Sequence, residues 1–155
     1  MTFDKFTGPL KIEVLPRSAH PMRWRVVETF EFHVGRRGSG VFIRCFAGDD
    51  TDLTSIPPGL RWLISPSDPD LAQAAVVHDM AYRRGTWTVR LGEREREAPL
   101  NRAAADGIML EAMKARDVPK WKRTIVYQGL KVGGWIGWNA WRKRNPDAIR
   151  TDTTT

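Results

Sequence analysis

The string His78-Asp79-Met80-Ala81-Tyr82, followed 28 residues after its histidine by Asp106, holds the side-chain types of acid–base chemistry. An imidazole works as a general base near neutral pH, and a carboxylate on one ring nitrogen fixes the tautomer and stabilises the imidazolium that forms. On a helix His78 and Tyr82 share a face, and an antiparallel second helix would bring Asp106 beside them. Asp79 falls roughly 100° round the same helix, where it could bind a metal instead of orienting the histidine. Asp49, Asp50 and Asp52 add oxygen donors for a hard cation such as calcium, which takes about six to eight oxygen ligands.

Each of these residues also has a structural reading. His78 could be a core histidine bonded to Tyr82 or a carbonyl, and Asp52 a cap in a polar turn. The hydrolytic reading makes two demands: an Asp106 oxygen about 2.6–3.2 Å from a ring nitrogen of His78, and the other nitrogen open to a solvent-filled pocket. Ser55 sits in no nucleophile elbow, His20 and His33 fall in the strand region as structural or exposed residues, and Cys45 reads as an inert core thiol.

The elements that must position these groups are legible from spacing. Ser67-Asp68-Pro69 is an N-cap followed by a first-turn proline, and Leu71, Ala74, Ala75, His78 and Tyr82 recur at helical steps until Gly85 stops the run. A second helix is expected over residues 101–116, with Ala104, Ile108, Met109, Ala112 and Met113 inward. A third begins near Pro119 and reaches Trp141 or Arg142. Upstream, Trp24, Val26, Phe30, Phe32 and Val34 alternate with polar residues, broken once at Glu28. A glycine-rich turn over residues 35–40 leads to a second extended run at residues 41–46, and residues 10–15 supply an earlier strand. Residues 87–99, with Glu93-Arg94-Glu95-Arg96-Glu97, read as a solvated excursion, and residues 146–155 as a tail. Strand patterns precede helix patterns, so the expected class is α+β: one domain over residues 1–145, with an antiparallel sheet of about three strands packed on about three helices.

The 155 residues carry a net charge of +7, yet residues 114–150 hold ten basic groups against two acidic ones, and the remainder is −1. A nearly neutral body with a basic end points to an anionic partner surface. Trp135, Trp138 and Trp141 lie on one arc of the third helix between Lys120, Lys122 and Arg123 and Arg142, Lys143 and Arg144, a pairing suited to a headgroup layer. Core packing of the same tryptophans, with Gly129, Gly133 and Gly137 as a smooth ridge, is the structural alternative. Lys131 in mid-helix argues against a transmembrane span. Nucleic acid is the weaker partner, because no recognisable binding motif accompanies the charge. A single cysteine excludes an intramolecular disulfide framework. The first residues lack a signal-peptide pattern, so synthesis in the cytoplasm is expected, with virion association or a peripheral place at a membrane as the working locations.

The motif His78-Asp79, Tyr82 and a distant Ala105-Asp106 resembles the active-site helices of phospholipase A2, especially the short forms in parvovirus capsid proteins. That resemblance implies His78 as base, Asp79 as calcium ligand, Asp106 as the group orienting the histidine, and Tyr82 as a supporting donor. A longer stretch is similar to a family of small proteins of unassigned function encoded largely by phages and prophages. It comprises Thr51-Asp52-Leu53-Thr54-Ser55-Ile56-Pro57, Ala75-Val76-Val77-His78-Asp79, residues 102–106 and Val118-Pro119-Lys120-Trp121-Lys122-Arg123. It implies a phage setting with other phage proteins as partners. Two functions therefore stand: a calcium-assisted lipid-ester hydrolase, or a non-enzymatic virion or assembly component in which the His-Asp-Tyr cluster is a polar core.

Overall fold

A computed structural model describes residues 5–16, 23–51, 58–63 and 68–144. His20, Asp52, Ser55 and the expected tail lie outside them. Strands β1 (Ile12–Val14), β2 (Trp24–Val26), β3 (Phe30–His33), β4 (Val41–Cys45) and β5 (Asp50–Thr51) come first. A short 3-10 helix (Pro58–Leu63) and helix α1 (Pro69–Arg84) follow, then β6 (Thr86–Leu91), β7 (Arg94–Pro99), α2 (Arg102–Ala115) and α3 (Lys120–Arg144). The fold is α+β, as the order of patterns implies.

Two details of the strands differ from the sequence reading. The alternating run from Trp24 to Val34 is not one strand but two, in different antiparallel sheets: β1-β2-β5 and β3-β4-β6-β7. The break falls at Val27, Glu28 and Thr29, all exposed. Glu28 stays in solvent paired to Lys11 at 2.6 Å, so the residue that interrupts the apolar row also marks the change of sheet. Residues 87–99 are not a loop. They form the hairpin β6–β7, turning at Gly92, whose φ of 63° suits the first position of a two-residue hairpin turn. The apolar-polar alternation that signals a strand runs through β6 at Trp87, Val89 and Leu91 and stops in β7, where Glu95 and Glu97 bond instead to residues of β4 and β6.

On that face Glu31 of β3 accepts from Arg44 at 2.7 Å, and Arg44 also donates to Glu95 of β7 at 2.9 Å. Arg90 closes the ladder on Glu95 at 2.7 Å. Phe42 lies buried beneath the guanidinium groups of Arg44 and Arg90, 5.0 and 4.6 Å from its ring centre, so cations form the roof of an aromatic side chain. The opposite face presents Phe30, Phe32, Ile43 and Cys45 to the core, and burial pushes the Cys45 thiol well above its ordinary range.

Helix α1 runs through the middle of the molecule. Asp68 caps it, its side chain accepting from the Leu71 amide at 3.2 Å, and Gly85 ends it in the left-handed region. Every residue from Leu71 to Tyr82 is buried, because α1 packs on β4 and β6 on one side and on α2 and α3 on the other. A helix covered all round leaves its polar side chains no partners but protein, at a cost for each atom left without one. Asn101 caps α2 by accepting from the Ala104 amide at 2.8 Å, and a Val118 amide bond to the Met113 carbonyl turns the chain into α3.

Candidate functional site

The inner faces of the three helices meet at Asp106. His78 and Tyr82, one turn apart on α1, stack with ring centres 4.1 Å apart. Both point to Asp106 on α2: a hydrogen bond of 3.2 Å links His78 Nε2 to Oδ1, and the Tyr82 hydroxyl donates to the same oxygen at 2.5 Å. Arg102, four residues before Asp106, donates to Oδ2 at 3.1 Å and also to the Leu130 carbonyl of α3 at 3.3 Å. Three side chains and the Leu130 carbonyl thus tie three helices around one carboxylate. Burial, reinforced by the Asp106 hydrogen bond, raises the Tyr82 hydroxyl far above its usual range, so tyrosine serves as a neutral donor.

Helix α3 closes the cluster from outside. Gly134 faces the Tyr82 hydroxyl so closely that a Cβ there would stand 2.6 Å from its oxygen. Trp138 meets the Tyr82 ring edge-on at 5.1 Å. Arg142 lies 3.4 Å above the Trp138 ring and donates to the Tyr82 carbonyl at 3.1 Å. Close packing on glycine, expected from Gly129, Gly133 and Gly137, is borne by Gly129 against Leu60 and by Gly134 against Tyr82.

The geometry meets the first demand of the hydrolytic reading and departs from the second. Asp106 lies at hydrogen-bond distance from His78, but His78 is 0% exposed and its Nδ1 is buried without a hydrogen-bond partner. A carboxylate accepts a proton from Nε2, and in the neutral ring that leaves Nδ1 as the nitrogen with the lone pair, enclosed by protein. No solvent reaches it.

Asp79 is equally buried, on the side of α1 that faces β5. Its Oδ2 accepts from the Thr51 hydroxyl at 2.6 Å and pairs with Arg83 at 3.2 Å. Arg83 also donates to the Asp50 carbonyl at 2.6 Å, while Arg84 holds Asp49 at 2.5 Å. Asp49 in turn accepts from the Phe46 amide at 2.7 Å, closing the turn before β5. The end of α1 is therefore clamped to residues 49–51 by two arginines. Among the described residues no group of three or more acidic, histidine or cysteine side chains could hold a metal ion. The described carboxylates meet guanidinium groups where calcium would need open oxygens, and that arrangement does not fit the cation.

The residues singled out at the basic end divide. Trp135, Lys120 and Lys143 are exposed. Trp138, Trp141 and Arg142 are half-buried, and Lys122 is committed to Asp68 at 2.6 Å. Among the described residues no helix is long and apolar enough to cross a membrane. Four contributors to the clusters had received no role from the sequence: Arg102, Gly134, Thr51 and Arg84. The i, i+4 spacing of Arg102 and Asp106 was a usable signal, whereas nothing local marks Gly134 or Thr51 as neighbours of Tyr82 and Asp79.

A family model described as a protein of unknown function (DUF1353) matches residues 24–130. That span contains His78, Asp79, Tyr82, Arg102 and Asp106, and ends within α3. No curated protein and no solved structure matches the chain.

Proposed function

The chain belongs to the DUF1353 family, and from that premise we propose that it works as a non-catalytic component of a phage virion or its assembly, in the phage setting its motifs resemble. The His78-Asp106-Tyr82-Arg102 cluster is a polar clasp that sets the three helices in place. One observation carries this reading: His78 is wholly enclosed. A general base has to come within hydrogen-bond reach of the proton it removes, and no atom of this ring meets solvent. The clasp has a positional effect instead. It fixes the inner face of α3 on α1 and α2, and so holds the outer face of α3 and its basic end in one orientation toward a partner.

The test is a lipid-ester hydrolysis assay on phospholipid vesicles, run with millimolar calcium and again with chelator. No turnover above a protein-free blank is expected under either condition. His78→Ala should lower the unfolding midpoint without changing that blank-level rate. Calcium-dependent turnover that His78→Ala abolishes, in a variant whose circular dichroism is native, would overturn the reading.

The bare Nδ1 favours a second reading, a lipid-ester hydrolase resembling phospholipase A2. A structural histidine ordinarily bonds both nitrogens, and a buried unsatisfied nitrogen costs about 1–3 kcal/mol. A base oriented by Asp106 on Nε2 would keep this lone pair for water. In that reading His78 removes the proton of a water molecule, Asp106 steadies the imidazolium, and Tyr82 and Arg102 steady Asp106. Calcium at Asp79 would require the carboxylate to exchange Arg83 and Thr51 for the cation. The same assay decides between the two readings.

A further inference from the structure

The outer face of α3 has no part in the clasp, and its chemistry is unlike that of the rest of the surface. Trp121, Ile125, Val132, Trp135 and Ile136 are all exposed, Val132 at 78% and Ile136 at 59%. At 100° per residue they fall within an arc of about 100°, and from Trp121 to Ile136 the row is about 22 Å long. Val126, Leu130 and Gly134 are buried on the opposite side, so these outward residues are additional to the core. An exposed apolar row of this extent, interrupted within its arc only by Gln128, marks an interaction surface.

Charge identifies the kind of surface they fit. Helix α3 carries seven basic residues and no acidic one over its 25 positions. Lys122 is taken by Asp68, and Arg142 by Trp138 and the Tyr82 carbonyl. Lys120 stands exposed at one end of the row, Lys131 beside its middle, and Lys143 and Arg144 at the other end. We propose that this face docks the protein, lying flat, on a bilayer rich in anionic lipid, with Trp121, Ile125, Val132, Trp135 and Ile136 entering the headgroup boundary and Lys120, Lys131 and Lys143 meeting the phosphates.

A bilayer surface offers both required chemistries in one plane, anionic groups directly above an apolar layer. A nucleic-acid backbone would match the lysines and leave Val132 and Ile136 in water, since its affinity comes from phosphate contacts. A protein partner would need an acidic rim around an apolar groove of the same length, and a second copy of this helix would bring like charges together. The helix does not span, because Lys131 interrupts it and no described helix reaches the hydropathy of a membrane span. Docking requires no turnover, so the inference stands apart from the function proposed above.

The test uses the full chain. Co-sedimentation with vesicles of phosphatidylglycerol and phosphatidylcholine should show binding that weakens with salt and is lost on phosphatidylcholine alone, together with a blue shift in tryptophan emission. Val132→Ser with Ile136→Ser should weaken binding about tenfold, the scale expected for removing apolar insertion, and leave the circular dichroism and unfolding midpoint unchanged. Lys131→Glu with Lys143→Glu should do the same at low salt. Three results would overturn the proposal: no binding to anionic vesicles, binding insensitive to the serine pair, or preferential capture by duplex DNA with a steep salt slope. A dimer in sedimentation velocity that the serine pair dissociates would give the face to a second copy and overturn it likewise. None of these outcomes measures hydrolysis, so failure here leaves the function proposed above untouched.

Discussion

Two ionic clusters in this molecule use similar chemistry in opposite surroundings. Around Asp106 three donors from His78, Tyr82 and Arg102 converge on one carboxylate that is 3% exposed. Across the outer sheet face, Glu31 and Glu95 share Arg44 and Arg90 at the water's edge. By count of contacts the exposed ladder is the richer of the two. Its energetic weight is nevertheless smaller, because water and salt screen each pair and stand ready to replace a lost partner. In the clasp water reaches only Arg102, whose side chain is 31% exposed, so deleting the Asp106 carboxylate leaves His78 and Tyr82 desolvated and unbonded. The surroundings, and not the number of contacts, set what each network contributes.

That contrast is most directly broken at Asp106. Asp106→Ala strips His78, Tyr82 and Arg102 of their common acceptor, and a loss of about 3–5 kcal/mol is expected in urea unfolding, the range for breaking a buried ion pair. Gly134→Ala tests the clasp from α3: a methyl group 2.6 Å from the Tyr82 oxygen forces the helix outward, at a cost of about 1–3 kcal/mol. Gly129→Ala is its control, since the flexible Leu60 side chain that it meets can turn aside. Tyr82→Phe removes one of three donors while keeping the ring against His78 and Trp138, and should cost about 0.5–1.5 kcal/mol by the same measurement. A stability equal to the wild type in all three would place the clasp on the same footing as the surface ladder.

The smallest effect belongs to the ladder and is best read by titration. Hydrogen bonds from Arg44 and then Arg90 hold the Glu95 carboxyl at about 2, below its ordinary 4.5. A carboxyl depressed in the folded state stabilises fully above its unfolded value, and that contribution is lost as pH falls from about 4.5 through about 2. The carboxyl carbon shift of Glu95 should therefore titrate near 2, and Arg44→Ala should bring its midpoint back toward 4.5. An unchanged midpoint in Arg44→Ala would remove the ladder as its cause. The stability difference between wild type and Glu95→Gln should shrink with added salt.

What the sequence determined by itself is what one stretch of backbone can determine. The cap at Asp68 and the stop at Gly85 were readable, because capping is settled within one turn of chain. The shared face of His78 and Tyr82 was readable for the same reason, since helical repeat places residues four apart together. The reach to Asp106 was a further inference from two helices, and the structure brings them together because the hairpin β6–β7 returns the chain to the end of α1, where the Leu100 amide donates to the Gly85 carbonyl at 2.8 Å. Other features depended on residues far away in the chain. Whether the run from Trp24 to Val34 made one strand or two was decided by pairing with β5 and β4, and the charged stretch from Arg94 to Pro99 became a strand because Arg44, some fifty residues earlier, met Glu95. Burial of Asp79 and of both ring nitrogens of His78 followed from α1 being covered on every side, which no local pattern records. The tertiary structure decided it, because desolvation is a property of everything packed around a group.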